Sequence, residues 1–222
     1  MSWDTTSLDK IVTFQRGFDL PKTKFKNGLF PVVGSTNIIG YHDEFKVNPP
    51  CVVTGRSGTL GKFQYMNENF WPHNTTLWVK DFKGNNPKYV YYLLKTLNFS
   101  FLNGGASVPT LNRNVLKSIN LKYSTSLKTQ KCIADILSAY DDLIENNLKR
   151  IKLLEQAAQN IYNEWFVNLR FPGHENTPIN KEAGLPEGWE VKKLKEYVDF
   201  KEGPGLRNWQ YRTKGVPFLN IR

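Results

Sequence analysis

The sequence predicts an α+β fold: a mixed, strand-rich domain followed by a long coiled-coil-forming helix, and then by the start of a second copy of that domain. Three observations support this. Short apolar runs separated by turn residues fill the first 125 positions, residues 126–168 contain neither Gly nor Pro, and the chain matches itself at one fixed offset.

In residues 1–125, IVTF at 11, FPVVG at 30, CVVTG at 51, KFQYM at 62 and TLWVK at 76 read as short strands bounded by turn residues. One helix stands among them. Asn86 can cap it, Pro87 suits its first turn, and Val90, Leu93, Leu94 and Leu97 give it an apolar face.

Residues 126–168 read as one helix with a heptad seam of Ile133, Leu137, Tyr140, Ile144, Asn147, Ile151, Leu154, Ala158, Ile161 and Trp165, spaced alternately by four and three. Residues 133–165 would span about 50 Å at the helical rise. That length suits a two-stranded coiled coil in which Asn147 fixes register, with packing on the helix's own domain as the alternative. Residues 169–188, rich in Pro, Gly and polar side chains, read as a linker. From 189 to 222 the first domain begins again: Trp3, Leu8, Val12, Phe14, Gly17 and Pro31 recur as Trp189, Leu194, Val198, Phe200, Gly203 and Pro217, all at an offset of 186.

The chain carries 30 Lys and Arg against 20 Asp and Glu, a net charge of +10 that points to a polyanionic partner. The charge is unevenly placed. Residues 1–125 hold 15 basic and 7 acidic side chains, whereas residues 126–168 hold 5 and 6, as expected of a protein-contacting element. The two cysteines, Cys51 and Cys132, lack metal spacing and are expected as buried thiols. No run approaches the apolar length of a membrane span and no basic leader precedes an apolar stretch, so no membrane partner is expected and the cytoplasm is the expected compartment.

Three loops combine small, amide, hydroxyl and basic residues: Gly34–Asn37, Gly55–Thr59 and His73–Thr76. Arg pairs with guanine and Asn with adenine, while Ser, Thr and backbone amides suit phosphate oxygens. The expected nucleic-acid contacts are therefore Lys22, Lys24, Lys26, Ser35, Thr36, Asn37, Arg56, Ser57, Lys62, His73, Asn74 and Arg113.

Catalytic patterns find little support. The histidines at 42, 73 and 174 form no metal motif. GRSGTLGK at 55–62 departs from a phosphate loop in its glycine spacing and in Phe63. NPPC at 48–51 has Cys51 where a base-stacking ring would be needed. The Asp199 and Lys201 pair has no counterpart in the first copy, where Thr13 and Gln15 stand. No catalytic residue, metal or cofactor is expected in this chain.

The stretches FPVVGSTNIIGYHDEF, NPPCVVTGRSGTLGKF, WPHNTTLWV, SVPTLNRN, QKCIADILSAYDDLIENN, NEWFVNLRFPGHE and GLPEGWE together resemble the specificity (S) subunits of type I restriction-modification systems, in a truncated or half-sized form. The resemblance implies a target recognition domain over 1–125, a spacer helix over 126–168 and an incomplete second recognition domain over 189–222. It further implies double-stranded DNA, modification (methyltransferase) subunits and an ATP-dependent restriction subunit as partners, with S-adenosylmethionine, ATP and Mg²⁺ held by those partners. Homodimerisation through the long helix would give two-fold reading of a split site. The competing classes are an autonomous nuclease or methyltransferase, and a coiled-coil interaction protein that never touches DNA.

Overall fold

β5 (Cys51–Gly55), buried along its whole length, is the strand around which the first domain is built. The computed structural model describes residues 3–56, 61–97, 111, 113–201, 203, 205–207, 210–212 and 214, and of Arg113 the backbone. The chain divides into two compact units, residues 1–150 and 151–222.

In the first unit β5 pairs antiparallel with β6 (Phe63–Met66) and with β8 (Thr76–Asp81), and β8 pairs with β2 (Thr13–Arg16), giving the order β2-β8-β5-β6. Because both faces of β5 are covered, successive residues can be apolar. Val52 joins a core with Leu8, Val12, Val90 and Leu94, whereas Cys51 and Val53 join a second with Val33, Val47 and Phe70. A separate sheet carries β4 (Ile38–His42), β3 (Phe30–Val33) and β7 (Trp71–Pro72) in that order, with β3 and β7 parallel. β1 (Trp3–Ser7) pairs with β9 (Asn120–Ser124). These polar segments, WDTTS and NLKYS, lack the alternation that would mark them as strands. The run at 11 also divides differently from the expected strand: Ile11 closes a helical turn, α1 (Leu8–Ile11), that drives Leu8 and Ile11 into the core, and β2 starts at Thr13.

α2 (Pro87–Lys95) begins as its sequence requires, with the Tyr89 N–H donating to Asn86 Oδ1 at 2.9 Å and proline in the first turn. α3 (Arg113–Lys117) leads into β9.

α4 (Leu127–Tyr162) is the long helix, continued by a π-helical turn over Asn163–Val167. A buried amide fastens its root to the first unit. Gln130 Oε1 accepts from the Asn86 N–H at 2.8 Å, and its Nε2 donates to Asn85 Oδ1 at 2.7 Å and to the Ser124 carbonyl at 2.8 Å. Ile133 and Ala134 pack against the core beside it, and Tyr92 donates to Asp141 Oδ2 at 2.8 Å. Burial pushes the Tyr92 hydroxyl pKa well up, with the Asp141 hydrogen bond adding to the rise.

Past that root, the expected seam residues Leu137, Tyr140, Ile144, Ile151, Leu154, Ile161 and Trp165 are exposed, as are Asn147 and Ala158. Ile136, Leu143 and Leu148 are exposed alongside them. The exposed apolar stripe is therefore wider than two residues per heptad. Cys51 is buried as expected, but Cys132 is exposed, because α4 turns Gln130, Ile133 and Ala134 inward and leaves position 132 outside.

In the second unit Trp189 stacks on Phe171 with centroids 5.3 Å apart and meets Phe166 at 5.8 Å. The turn Leu194–Glu196 then repeats α1 at the expected offset. Val198 N–H donates to Leu194 O at 3.0 Å, as Val12 N–H does to Leu8 O at 3.0 Å. The packing does not follow, for Leu194 is 75% exposed where Leu8 is 1% exposed. Trp189–Lys193 forms no strand, whereas β1 is paired with β9. Gly203 is described, and Pro217 lies outside the described residues.

Candidate nucleic-acid interface

The β7–β8 turn, His73–Thr76, is where the β3–β4 turn and the exits of β2 and β5 meet. Thr76 closes it, its N–H and hydroxyl both donating to the His73 carbonyl at 2.9 and 2.7 Å. His73 is held from three sides: its N–H donates to Val33 O at 2.9 Å, Nε2 lies 3.2 Å from Leu20 O, and Nδ1 lies 3.0 Å from Thr75 Oγ1. A carbonyl can only accept, so these partners assign the proton to Nε2. His73, an expected nucleic-acid contact, thus has both ring nitrogens engaged within the protein and braces the turn.

The other loops attach to this turn through its carbonyls. Thr75 O accepts from the Arg56 N–H at 2.9 Å and from Ser35 Oγ at 3.0 Å, which joins the β5 exit and the β3–β4 turn to the hub. Asn74 O accepts from Arg56 NH1 and from Arg16 Nε, each at 3.3 Å. The Arg56 carbonyl accepts from Leu111 N–H at 2.7 Å, so the backbone of Arg56 is fixed on both sides. Close approach requires glycine at two places: a Cβ at Gly17 would lie 2.1 Å from His73 O, and one at Gly55 would lie 2.8 Å from Ser35 O. Beneath the turn, Phe18 meets Trp71 at 6.5 Å and Trp78 at 6.4 Å, an aromatic floor supporting the loops.

Of the expected contact residues, Ser35, Arg56, His73 and Asn74 converge directly. Thr36 and Asn37 are exposed at the hairpin tip, which Gly34 N–H closes by donating to Asn37 O at 2.9 Å. Lys22 and Lys24 are exposed on a 3-10 turn, Lys22–Lys24. Lys26 is instead paired with Asp43 at 3.1 Å, and hydrogen bonding from that ammonium holds the Asp43 carboxyl below its ordinary value. Lys62 is exposed, and its carbonyl accepts from Thr54 Oγ1 at 3.0 Å. Ser57 and the Arg113 side chain lie outside the described residues.

Two residues at the cluster were missed by the loop pattern, Arg16 and Asp19. Arg16 closes a strand rather than standing in a Ser/Thr/Asn-rich loop, and its one signal was the glycine that follows it. Among the described residues no group of three His, Cys, Asp or Glu could hold a metal ion, and no helix is long and apolar enough to cross a membrane. Asp199 and Lys201 form an exposed ion pair at 3.3 Å.

Known proteins of similar sequence and fold share one family. The chain is 33% identical over 145 residues to the type I restriction enzyme MjaIX specificity subunit of Methanocaldococcus jannaschii, covering 61% of this chain and 33% of that protein. The MjaVIII specificity subunit of the same organism is 33% identical over 136 residues, 60% of this chain and 31% of that protein. The chain thus spans about a third of the length of these curated relatives. In fold it is similar to a type I restriction-modification S subunit from M. genitalium, with a TM-score of 0.63 and 19% identity over 75% of this chain and 46% of that one. A second similar structure, from work on complex assembly and conformational transition of the type I R-M system, has a TM-score of 0.53 and 14% identity over 70% of this chain and 42% of that one. Residues 1–156 match the family described as type I restriction modification DNA specificity domain, and the chain belongs to that family.

Proposed function

We propose that residues 1–125 are a target recognition domain that reads DNA, and that the chain selects the site at which separate modification subunits methylate and a restriction subunit acts. On this reading the chain carries no catalytic residue and no cofactor, and S-adenosylmethionine, ATP and Mg²⁺ belong to its partners. The observation that supports it best is the convergence of the β3–β4 turn, Arg56 at the exit of β5 and the β7–β8 turn on one carbonyl pair, in a domain that bears most of the net positive charge. Loops bolted to one another present side chains at fixed spacing, which base readout needs and simple charge attraction does not.

Lys22, Lys24 and Lys62 would supply phosphate contacts, whereas Ser35, Thr36, Asn37, Arg56 and Asn74 would lie nearest the bases. Helix α4, with its exposed stripe, would be the protein-contacting element, through a second copy of the chain or through modification subunits, and residues 189–222 would open a second recognition domain.

Reversing charge at Lys22, Lys24 and Lys62, all exposed, tests the DNA reading. Removing one cation that neutralises a phosphate should lower the slope of log affinity against log salt by about 0.9. Duplex binding by the full chain should weaken and lose salt dependence; an unchanged slope would contradict it.

A further inference from the structure

The exit of β2 carries two charged side chains, Arg16 and Asp19, held by a single turn residue. Arg16 Nε donates to the Asn74 carbonyl at 3.3 Å, the Asn74 side-chain amide donates to Asp19 Oδ1, and Arg16 NH2 lies 3.8 Å from Asp19 Oδ1. Both remain open to solvent, their side chains 53% and 77% exposed. An ion pair this exposed adds little to stability, so folding does not account for two side chains being tethered at this point. Their neighbours are the Arg56 guanidinium, on the same carbonyl, and the rigid turn itself.

We propose that Arg16 and Asp19 together read one G·C base pair, Arg16 donating to guanine O6 and N7 and Asp19 accepting from cytosine N4, with Asn74 positioning both. The inference rests on the reading of the domain as DNA-binding and names a specificity-determining pair within it. The two side chains present donors and an acceptor side by side. A phosphodiester offers acceptors alone and would be repelled by the Asp19 carboxylate, so it is a poor match. Adenine sets an amino donor against the guanidinium, whereas guanine offers two acceptors on one edge and its partner cytosine a donor beside them. Arg56 leaves the cluster with two guanidinium groups to one carboxylate, so Asp19 does not cancel its attraction for DNA.

The test assembles the full chain with modification subunits of the same system and sequences the methylated members of a randomised duplex pool. Wild type should select one G·C position that turns degenerate in Arg16→Ala, Arg16→Lys and Asp19→Ala, with enrichment there falling about ten- to hundredfold and the other positions kept. Arg16→Lys keeps the charge and loses the planar fork. If it retains the wild-type profile while Arg16→Ala lowers all sequences alike, Arg16 touches phosphate and the proposal is overturned. Unchanged profiles in all three variants overturn it as well. A wild-type assembly that methylates without any sequence preference sinks the recognition reading first and this pair with it.

Discussion

Replacing Gln130 with leucine should detach the root of α4 from the first unit, because the amide is fully buried and faces three polar partners. Leucine has a similar volume, so little of the effect can come from a cavity. The Asn86 N–H, Asn85 Oδ1 and Ser124 carbonyl would each lose the group facing them, at about 1–3 kcal/mol per stranded buried group; with Asn85 and Asn86 half-buried the low end applies, about 2–4 kcal/mol together. With an m-value of about 2 kcal/mol/M for a unit of this size, the urea midpoint should fall by about 1–2 M. Circular dichroism of the full chain reads it directly.

Gln130→Glu sharpens the case. The carboxylate would keep an acceptor for Asn86 N–H but face Ser124 O and Asn85 Oδ1 with no proton to donate. Its pKa would be raised in the folded state, so the protonated form is favoured on folding and stability is recovered as pH falls through the raised value and lost as pH rises. A midpoint shift under about 0.3 M for the leucine variant, or no pH dependence for the glutamate variant, would mean that Gln130 does not anchor the helix.

The two thiols should differ in reactivity, since burial raises the Cys51 pKa to about 12 while Cys132 is exposed. One thiol per folded chain should react rapidly with an alkylating agent and the second on unfolding; two equal rates would count against the burial of β5. The raised Cys51 value also adds stability that is complete below the ordinary thiol pKa near 9 and lost as pH climbs towards 12. On α4, Ile144→Glu or Leu148→Glu should abolish self-association or subunit binding while leaving the melting of the first unit within about 0.5 kcal/mol, because both positions are exposed. Sedimentation velocity checks this, and retained assembly would show that the stripe is not the contact.

The strands that were legible in the sequence are those whose apolar content is set by burial, as in CVVTG at 51 and TLWVK at 76. β1 and β9 were not, because an edge pair of polar residues is defined by its partner rather than by its own pattern. The α2 cap and the long helix were legible for the opposite reason, since a cap residue and a 3.6-residue period act locally. Loop composition pointed to Ser35, Arg56 and Asn74, which the structure brings together at one turn, but composition alone could not show which side chains brace that turn. His73 and Lys26 carry the same chemistry, and in the structure they pair with Leu20 O, Thr75 Oγ1 and Asp43. Arg16 and Asp19 emerge once β2 and β8 are paired, which brings residues 58 and 55 positions apart into contact. The helical stripe was legible too, though its extra width came from Ile136, Leu143 and Leu148, which lie outside a strict heptad count.

Methylation of defined duplexes by the full chain joined to modification subunits and S-adenosylmethionine decides whether this chain is the sequence reader of a larger machine. A methyl group placed in one split sequence, with the chain alone binding weakly and showing no turnover, is the expected outcome. Methyl transfer or DNA cleavage by the chain on its own, or an assembly blind to sequence, would rule that role out.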